Sequence, residues 1–288
     1  MDKLPISVVV LAKNEENRIA DCLRSVLGWA DEIIVVDDES TDNTKDIAKS
    51  LGAKVLLKKM DIEGRHRNWA YSQAANDWVL SLDSDERMTE ALKDEIKREL
   101  FSDPQISVFI MPRKNYIGDY WIRGGGLYPA AQMKLFRKDK FKWEEAEVHP
   151  RSIMLWGRRG YLRNDLMHYT YKDWGDFLNK LNKQTTLEAV KWHKLSLQDP
   201  KKARYKMNLM HALWRSLDRF IRTYLAKKGY RDGFIGLMIA YFASLYQIVS
   251  YAKYVELKAR DKNVLVRHNN TRMEPAESYP RLRRFPDR

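Results

Sequence analysis

The chain has 288 residues, 44% of them hydrophobic and 32% charged, with a formal net charge of +13 and a single cysteine. That apolar share supports one large core or two modest ones and excludes a globally disordered chain. Cys22 alone excludes an intramolecular disulfide, suits a reducing compartment, and fits a small buried residue on the first helix. Residues 1–100 hold 15 basic and 21 acidic side chains, a net of −6, which leaves +19 on the remaining 188. Such a division predicts an acidic region able to hold cations and a basic region facing phosphates, nucleic acid or an anionic membrane.

In chain order the first element is a strand at 6–12 (ISVVVLA), whose unbroken β-branched run marks a strand covered on both faces. The run is short and lacks the basic lead and small-residue cleavage site of a signal peptide, so the catalytic part is expected in the cytoplasm. A helix follows within 13–30, where Ile19, Leu23, Val26 and Leu27 recur at helical spacing and Gly28 marks the stop. Residues 32–38 (EIIVVDD) form a second strand. Residues 39–53 hold a helix with Ser40, Thr41 and Asp42 as N-cap candidates and Gly52 near its end. Strands at 54–59, 77–83 and 106–113 then alternate with helices at 65–76 and 89–100. This βαβα order predicts an α/β fold, a mostly parallel sheet with helices on both faces.

In such sheets ligands lie outside the carboxyl ends of the strands. Three strands end in polar groups, as LAKNEE, VVDDES and SLDSDE, and all three are predicted on one edge. Asp83, Asp85 and Glu86 repel one another unless a positive group joins them. No G-x-G-x-x-G and no phosphate-loop lysine follows the first strand, so a cation held by carboxylates is the natural substitute for a glycine-rich diphosphate cradle. Magnesium or manganese, bound through one or two carboxylates plus substrate phosphates, suits that chemistry.

Four segments, SVVVLAKNEENRIADCLRSV, DEIIVVDDESTDNT, RNWAYSQAANDWVLSLDSDE and MKLFRK, stand in an order and spacing that resemble glycosyltransferase family 2. The likeness is strongest to the lipopolysaccharide-core β-glucosyltransferase branch, over about residues 5–190 and more loosely to about 260. The resemblance implies a GT-A fold, a UDP-sugar donor, Mg²⁺ or Mn²⁺, and inversion by a hexosyltransferase. It places Leu11, Ala12 and Glu15 in the nucleotide pocket, and Asp37 or Asp38 on uracil or ribose. Arg67 and Asn68 match an Arg-Asn pair beside the nucleotide. Asp85 is the implied principal metal ligand, Asp83 reaches the ribose or the metal through water, and His168 offers a further metal ligand. Arg137 is expected to meet diphosphate or an acceptor phosphate.

An inverting transfer needs a base for the acceptor hydroxyl. The stretch WEEAEVHPRS supplies Glu144, Glu145, Glu147 and His149, with Pro150 where many relatives carry glutamate. Glu147, on the same strand face as His149, is the favoured base. Trp121, Gly125 and Tyr128, within YWIRGGGLYPAAQ, are expected on the acceptor side, where aromatic faces stack on sugars.

From 173 the pattern becomes helical. Residues 234–252 contain no charge, but serine, glutamine and tyrosine dilute their hydrophobicity, and a helix in the membrane interface fits better than a span. The expected organisation is a catalytic domain over 1–172, with a nucleotide-sugar half to about 100 and an acceptor half beyond. A membrane-facing helical region over 173–265 and a basic tail over 266–288 follow. The implied acceptor is a lipopolysaccharide-core or other lipid-linked saccharide on the cytoplasmic face of the inner membrane. A polyprenyl-phosphate acceptor is the alternative within this chemistry. A nucleic-acid-binding protein accounts for the basic half but not for the acidic strand ends, and no nucleic acid is expected as partner.

Overall fold

Strand β1 (Leu4–Ala12) has every side chain from Ile6 to Val10 buried, as its unbroken apolar run requires. Helix α1 (Ile19–Arg24) is shorter than its periodic pattern and buries Ile19, Cys22 and Leu23. Then come β2 (Ala30–Asp37), α2 (Thr44–Ser50), β3 (Lys54–Leu57), α3 (Glu63–Ser72) and β4 (Trp78–Asp83). After the short β5 (Glu86–Arg87), α4 (Glu90–Glu99) opens at Thr89, whose hydroxyl accepts from Leu92 N–H at 3.2 Å. Such a cap stabilises a helix by about 1 kcal/mol. The expected fifth strand divides at Pro112 into β6 (Ile106–Met111) and β7 (Arg113–Ile117). Next are β8 (Tyr120–Trp121), β9 (Gln132–Arg137), β10 (Phe141–Trp143), β11 (Ser152–Met154), β12 (Arg158–Tyr161) and β13 (Leu166–Tyr171). Helices α5 (Trp174–Gln198), α6 (Leu209–Ile221) and α7 (Gly233–Asn270) complete the order. A computed structural model describes residues 3–146, 151–201, 204 and 207–270, with side chains as far as 261.

Seven strands form one sheet in the order β12-β6-β9-β4-β1-β2-β3. Strands β4, β1, β2 and β3 are parallel, whereas β9 runs antiparallel to both β4 and β6. One face packs on α1, α2 and α4 through Leu23, Ala48, Leu92 and Ile96. The other packs on α3 through Ala70 and Tyr71, with Phe136 and Phe141 beneath. A four-stranded sheet, β5-β13-β7-β8, carries His168 next to Glu86 in register.

Two compact units divide the chain: residues 1–178 with 221–240, and 179–220 with 241–288. The first therefore takes in the turn after α6 and the start of α7, not only the sheet region. Within it, Gly124 lies so close to Lys228 that an added Cβ would meet that carbonyl oxygen at 2.4 Å. In the second, Trp192 and Ala189 of α5 bury against Tyr254 of α7. The Lys253 ammonium there donates to Asn182 O, Thr185 Oγ1 and Thr186 Oγ1.

Candidate active site

Strand register decides what meets at the sheet edge. Ala12 lies beside Asp37, and Leu11 beside Asp83. The three polar strand ends thus leave the sheet side by side, around a cavity of about 390 Å³. Leu11, Ala12, Glu15, Asp38, Arg67, Asp83, Asp85 and His168 all line it. Lys13, Met60, Glu63 and His66 share the lining, and none was singled out from the sequence.

At one end of the cavity the Asp38 carboxylate accepts from Lys13 Nζ and from Met60 N–H, each at 2.8 Å. Burial pushes its pKa up, but these two donors outweigh that and hold it below the usual carboxylate range. Asp38 is therefore an ionised acceptor at neutral pH. His66 beside it is buried, which holds its imidazole below the ordinary value and leaves it neutral. Asp37, by contrast, is fully buried and does not line the cavity. Its Oδ1 accepts from Ser40 N–H at 2.9 Å, which shapes the turn after β2.

At the other end is SLDSDE. Glu86 is fully buried, and one of its oxygens accepts from Asp83 N–H at 2.9 Å. The positive group that these carboxylates call for is in part a side chain. Lys134 Nζ sits 2.7 Å from Asp83 and 2.8 Å from Glu86, Arg113 reaches Glu86 at 3.1 Å, and Arg67 reaches Asp83 at 3.4 Å. Burial pushes the Asp83 carboxyl up, yet Lys134 and Arg67 prevail and hold it far below the usual range. Asp83 is thus tied to two cations of the chain itself and does not converge with Asp85 and His168.

Asp85 and His168 do face each other, with Oδ1 and Nε2 separated by 3.4 Å. The tautomer of His168 follows from its other partner. Asn115 donates through Nδ2 to Leu127 O, which turns its Oδ1 toward His168 Nδ1 at 2.6 Å. Because Oδ1 can only accept, Nδ1 carries a proton, and the neutral form of the ring turns its Nε2 lone pair to the carboxylate. Two acceptors at that distance are favourable only with a cation or proton between them. An imidazole nitrogen and a carboxylate oxygen, with room in the cavity for phosphate oxygens, fit Mn²⁺ or Mg²⁺. Among the described residues no set of three His, Cys, Asp or Glu side chains gathers to hold a metal. The fit is therefore that of a two-ligand site completed by substrate and water.

Several expected residues lie elsewhere. Asn68 clamps β10, accepting from Trp143 N–H at 2.8 Å and donating to Trp143 O at 2.9 Å. Arg137 pairs in register with Trp78 at the amino end of β4, and its guanidinium stands 5.3 Å from that ring. Because β9 is antiparallel, this is the edge of the sheet opposite the cavity. Trp121 and Tyr128 meet edge to face at 5.2 Å, and Gly125 N–H donates to Lys227 O at 2.8 Å. These three hold the β8–β9 connection together rather than line the cavity. Glu145 pairs with Arg65 at 3.1 Å. Glu147 and His149 lie outside the described residues.

Comparison with known proteins adds the family. The family described as Glycosyl transferase family 2 matches residues 7–166. An uncharacterized glycosyltransferase of Rickettsia typhi is 31% identical over 92% of this chain and 91% of its own length. Lipopolysaccharide core biosynthesis glycosyltransferase LpsC of Rhizobium meliloti is 26% identical over 90% of this chain and 96% of its own. Among solved structures, glucosyl-3-phosphoglycerate synthase from Mycobacterium tuberculosis, in complex with Mn²⁺, UDP and glucosyl-3-phosphoglycerate, is similar at 25% identity with a TM-score of 0.33. That match covers 40% of this chain and 44% of the other, less than half of either. The mostly parallel sheet with helices on both faces is a GT-A fold, and the chain is a glycosyltransferase that belongs to glycosyl transferase family 2.

Proposed function

We propose that the enzyme moves a sugar, with inversion at the anomeric carbon, from a UDP-sugar to a lipopolysaccharide-core or other lipid-linked saccharide on the cytoplasmic face of a membrane. The observation that carries this reading is the Asp85–His168 pair, two acceptors 3.4 Å apart on the wall of a cavity whose far end holds an ionised Asp38. A carboxylate there can accept from the uracil N–H or the ribose hydroxyls. Leu11 and Ala12 flank the base, with Glu15 and the neutral His66 beside them. Arg67, fixed against Asp83 and Glu63, sets the position of Asp83 toward the ribose.

Asp85 and His168 would hold a divalent cation, which when bound offsets the charge developing on the leaving diphosphate. Glu147 is the proposed base for the acceptor hydroxyl, and Trp121, Gly125 and Tyr128 the proposed acceptor side. Similarity to LpsC over nearly the whole chain supports a saccharide of the lipopolysaccharide core as acceptor.

The test is a panel of UDP-sugars assayed for hydrolysis and for transfer to lipopolysaccharide-core acceptors, with Mn²⁺, Mg²⁺ or excess chelator. Metal-dependent turnover of one UDP-sugar, and an inverted anomeric configuration in the product by NMR, are the expected results. Undiminished turnover in chelator, or a retained configuration, would contradict the proposal. Glu147→Gln is expected to lower turnover about a hundredfold with donor binding intact, the scale of a lost general base. Near-normal turnover in that variant moves the role to another group.

A further inference from the structure

Helix α6 keeps its large apolar side chains outside. Leu209, Met210, Leu213, Trp214, Leu217 and Ile221 are all exposed, Met210 by 74% and Trp214 and Leu217 by 60% each. At about 100° per residue these six fall within an arc of about 140°. The buried residues of the helix are small: Ala212 and Ser216, the latter meeting the Ser244 hydroxyl at 2.7 Å. Arg215, Asp218 and Arg219 take the remaining face. The helix is thus attached through its small side and turns a continuous apolar stripe to solvent. Such a stripe on a soluble protein marks an interaction surface.

We infer that α6 is an interfacial anchor, lying in the plane of an anionic bilayer with this stripe sunk among the acyl chains. The inference rests on the reading of a lipid-linked acceptor and names the element that reaches its membrane. Two features favour lipid. Thirteen residues at about 1.5 Å each give roughly 20 Å, too short to cross a hydrocarbon core of about 30 Å, so the helix lies flat. Between residues 201 and 231 stand ten basic side chains and one acidic, a complement to anionic headgroups.

The test is sedimentation of the full chain with vesicles of phosphatidylcholine alone or with phosphatidylglycerol. Binding is expected to the mixed vesicles, to weaken with salt, and to fall at least tenfold in the Leu213→Asp/Leu217→Asp double variant. Both substituted positions are exposed, so circular dichroism and metal-dependent UDP-sugar hydrolysis are expected to match the wild type. Quenching of tryptophan emission by brominated lipid, reduced in Trp214→Phe, places the stripe within the acyl region. The inference is overturned by a double variant that binds as well as wild type. It is equally overturned by a catalytically competent wild type that ignores anionic vesicles, or by a solution dimer that the double variant dissociates. Loss of UDP-sugar turnover with vesicle binding intact would count against the catalytic reading and leave the anchor standing.

Discussion

Lys134 shows how one side chain sets the character of the acidic edge. It is buried between Asp83 and the fully buried Glu86, and those two carboxylates raise its own pKa against the effect of burial. Removing one partner of a buried pair strands the other charge, at a cost of about 3 kcal/mol. Lys134→Met is therefore expected to lower the urea unfolding midpoint at neutral pH. Asp83 has a depressed folded pKa, so its contribution is present above its ordinary 3.8 and lost as pH falls through the folded value. The gap between wild type and variant should accordingly close in acid, and a gap independent of pH would contradict the pairing. Asn115 acts from behind the lining of the cavity, fixing the ring of His168 through its amide oxygen. Loss of such an outer partner typically costs about 10- to 100-fold in metal affinity. Asn115→Ala should weaken Mn²⁺ binding in the presence of UDP on that scale, read from the free-ion resonance. Unchanged affinity would show that the tautomer is held by something else.

Element by element, the sequence is legible where burial dictates it. Parallel strands covered on both faces must be unbroken apolar runs, and β1, β2 and β4 were predicted with their polar ends on one edge. Strand direction leaves no such local mark. MKLFRK reads alike either way, and the antiparallel course of β9 carries Arg137 to the far edge and brings Lys134 under Asp83. The contacts of Asn68 and Asn115 are equally hidden, since their partners, Trp143 and His168, are distant in sequence. The glycine-rich β8–β9 connection has an anchor of the same kind. Asp232 is buried and accepts from Tyr120 OH at 3.1 Å, Arg123 N–H at 3.0 Å and Gly124 N–H at 2.6 Å. Asp232→Ala removes all three bonds, a loss on the order of 3 kcal/mol. Faster hydrogen exchange across 120–126 and a raised acceptor KM are expected, with UDP-sugar hydrolysis little changed. Exchange as slow as in wild type would contradict the anchor.

For the whole molecule the uneven charge was plain from composition, but not which helix would show an apolar face. The uncharged run 234–252 is the more apolar in sequence, and it exposes Phe234 and Tyr241 while burying Ile239, Ala240, Gln247 and Ser250, whereas α6 leaves all six residues of its stripe outside. Periodicity defines a face without telling whether it is covered. Stability should also follow charge across the molecule. His66 is held below its ordinary 6.5 by burial. Asp38, Asp42 and Glu95 are held below their ordinary values by hydrogen bonds that outweigh burial. Each depressed group binds fewer protons folded than unfolded, so stability present at neutral pH is lost as pH falls, first below about 6.5 through His66 and then below about 4.5 through the carboxylates. The melting temperature is expected to decline in those two steps, and the upper step to vanish in His66→Phe.

The claim that the cavity takes a nucleotide through a cation at Asp85 and His168 is tested most directly by calorimetric titration of UDP into the protein. With MnCl₂ present, binding is expected, and it should weaken at least tenfold in Asp85→Ala and in His168→Ala while both variants keep the wild-type circular dichroism. Undiminished affinity for UDP in excess chelator, or in both variants, would contradict it.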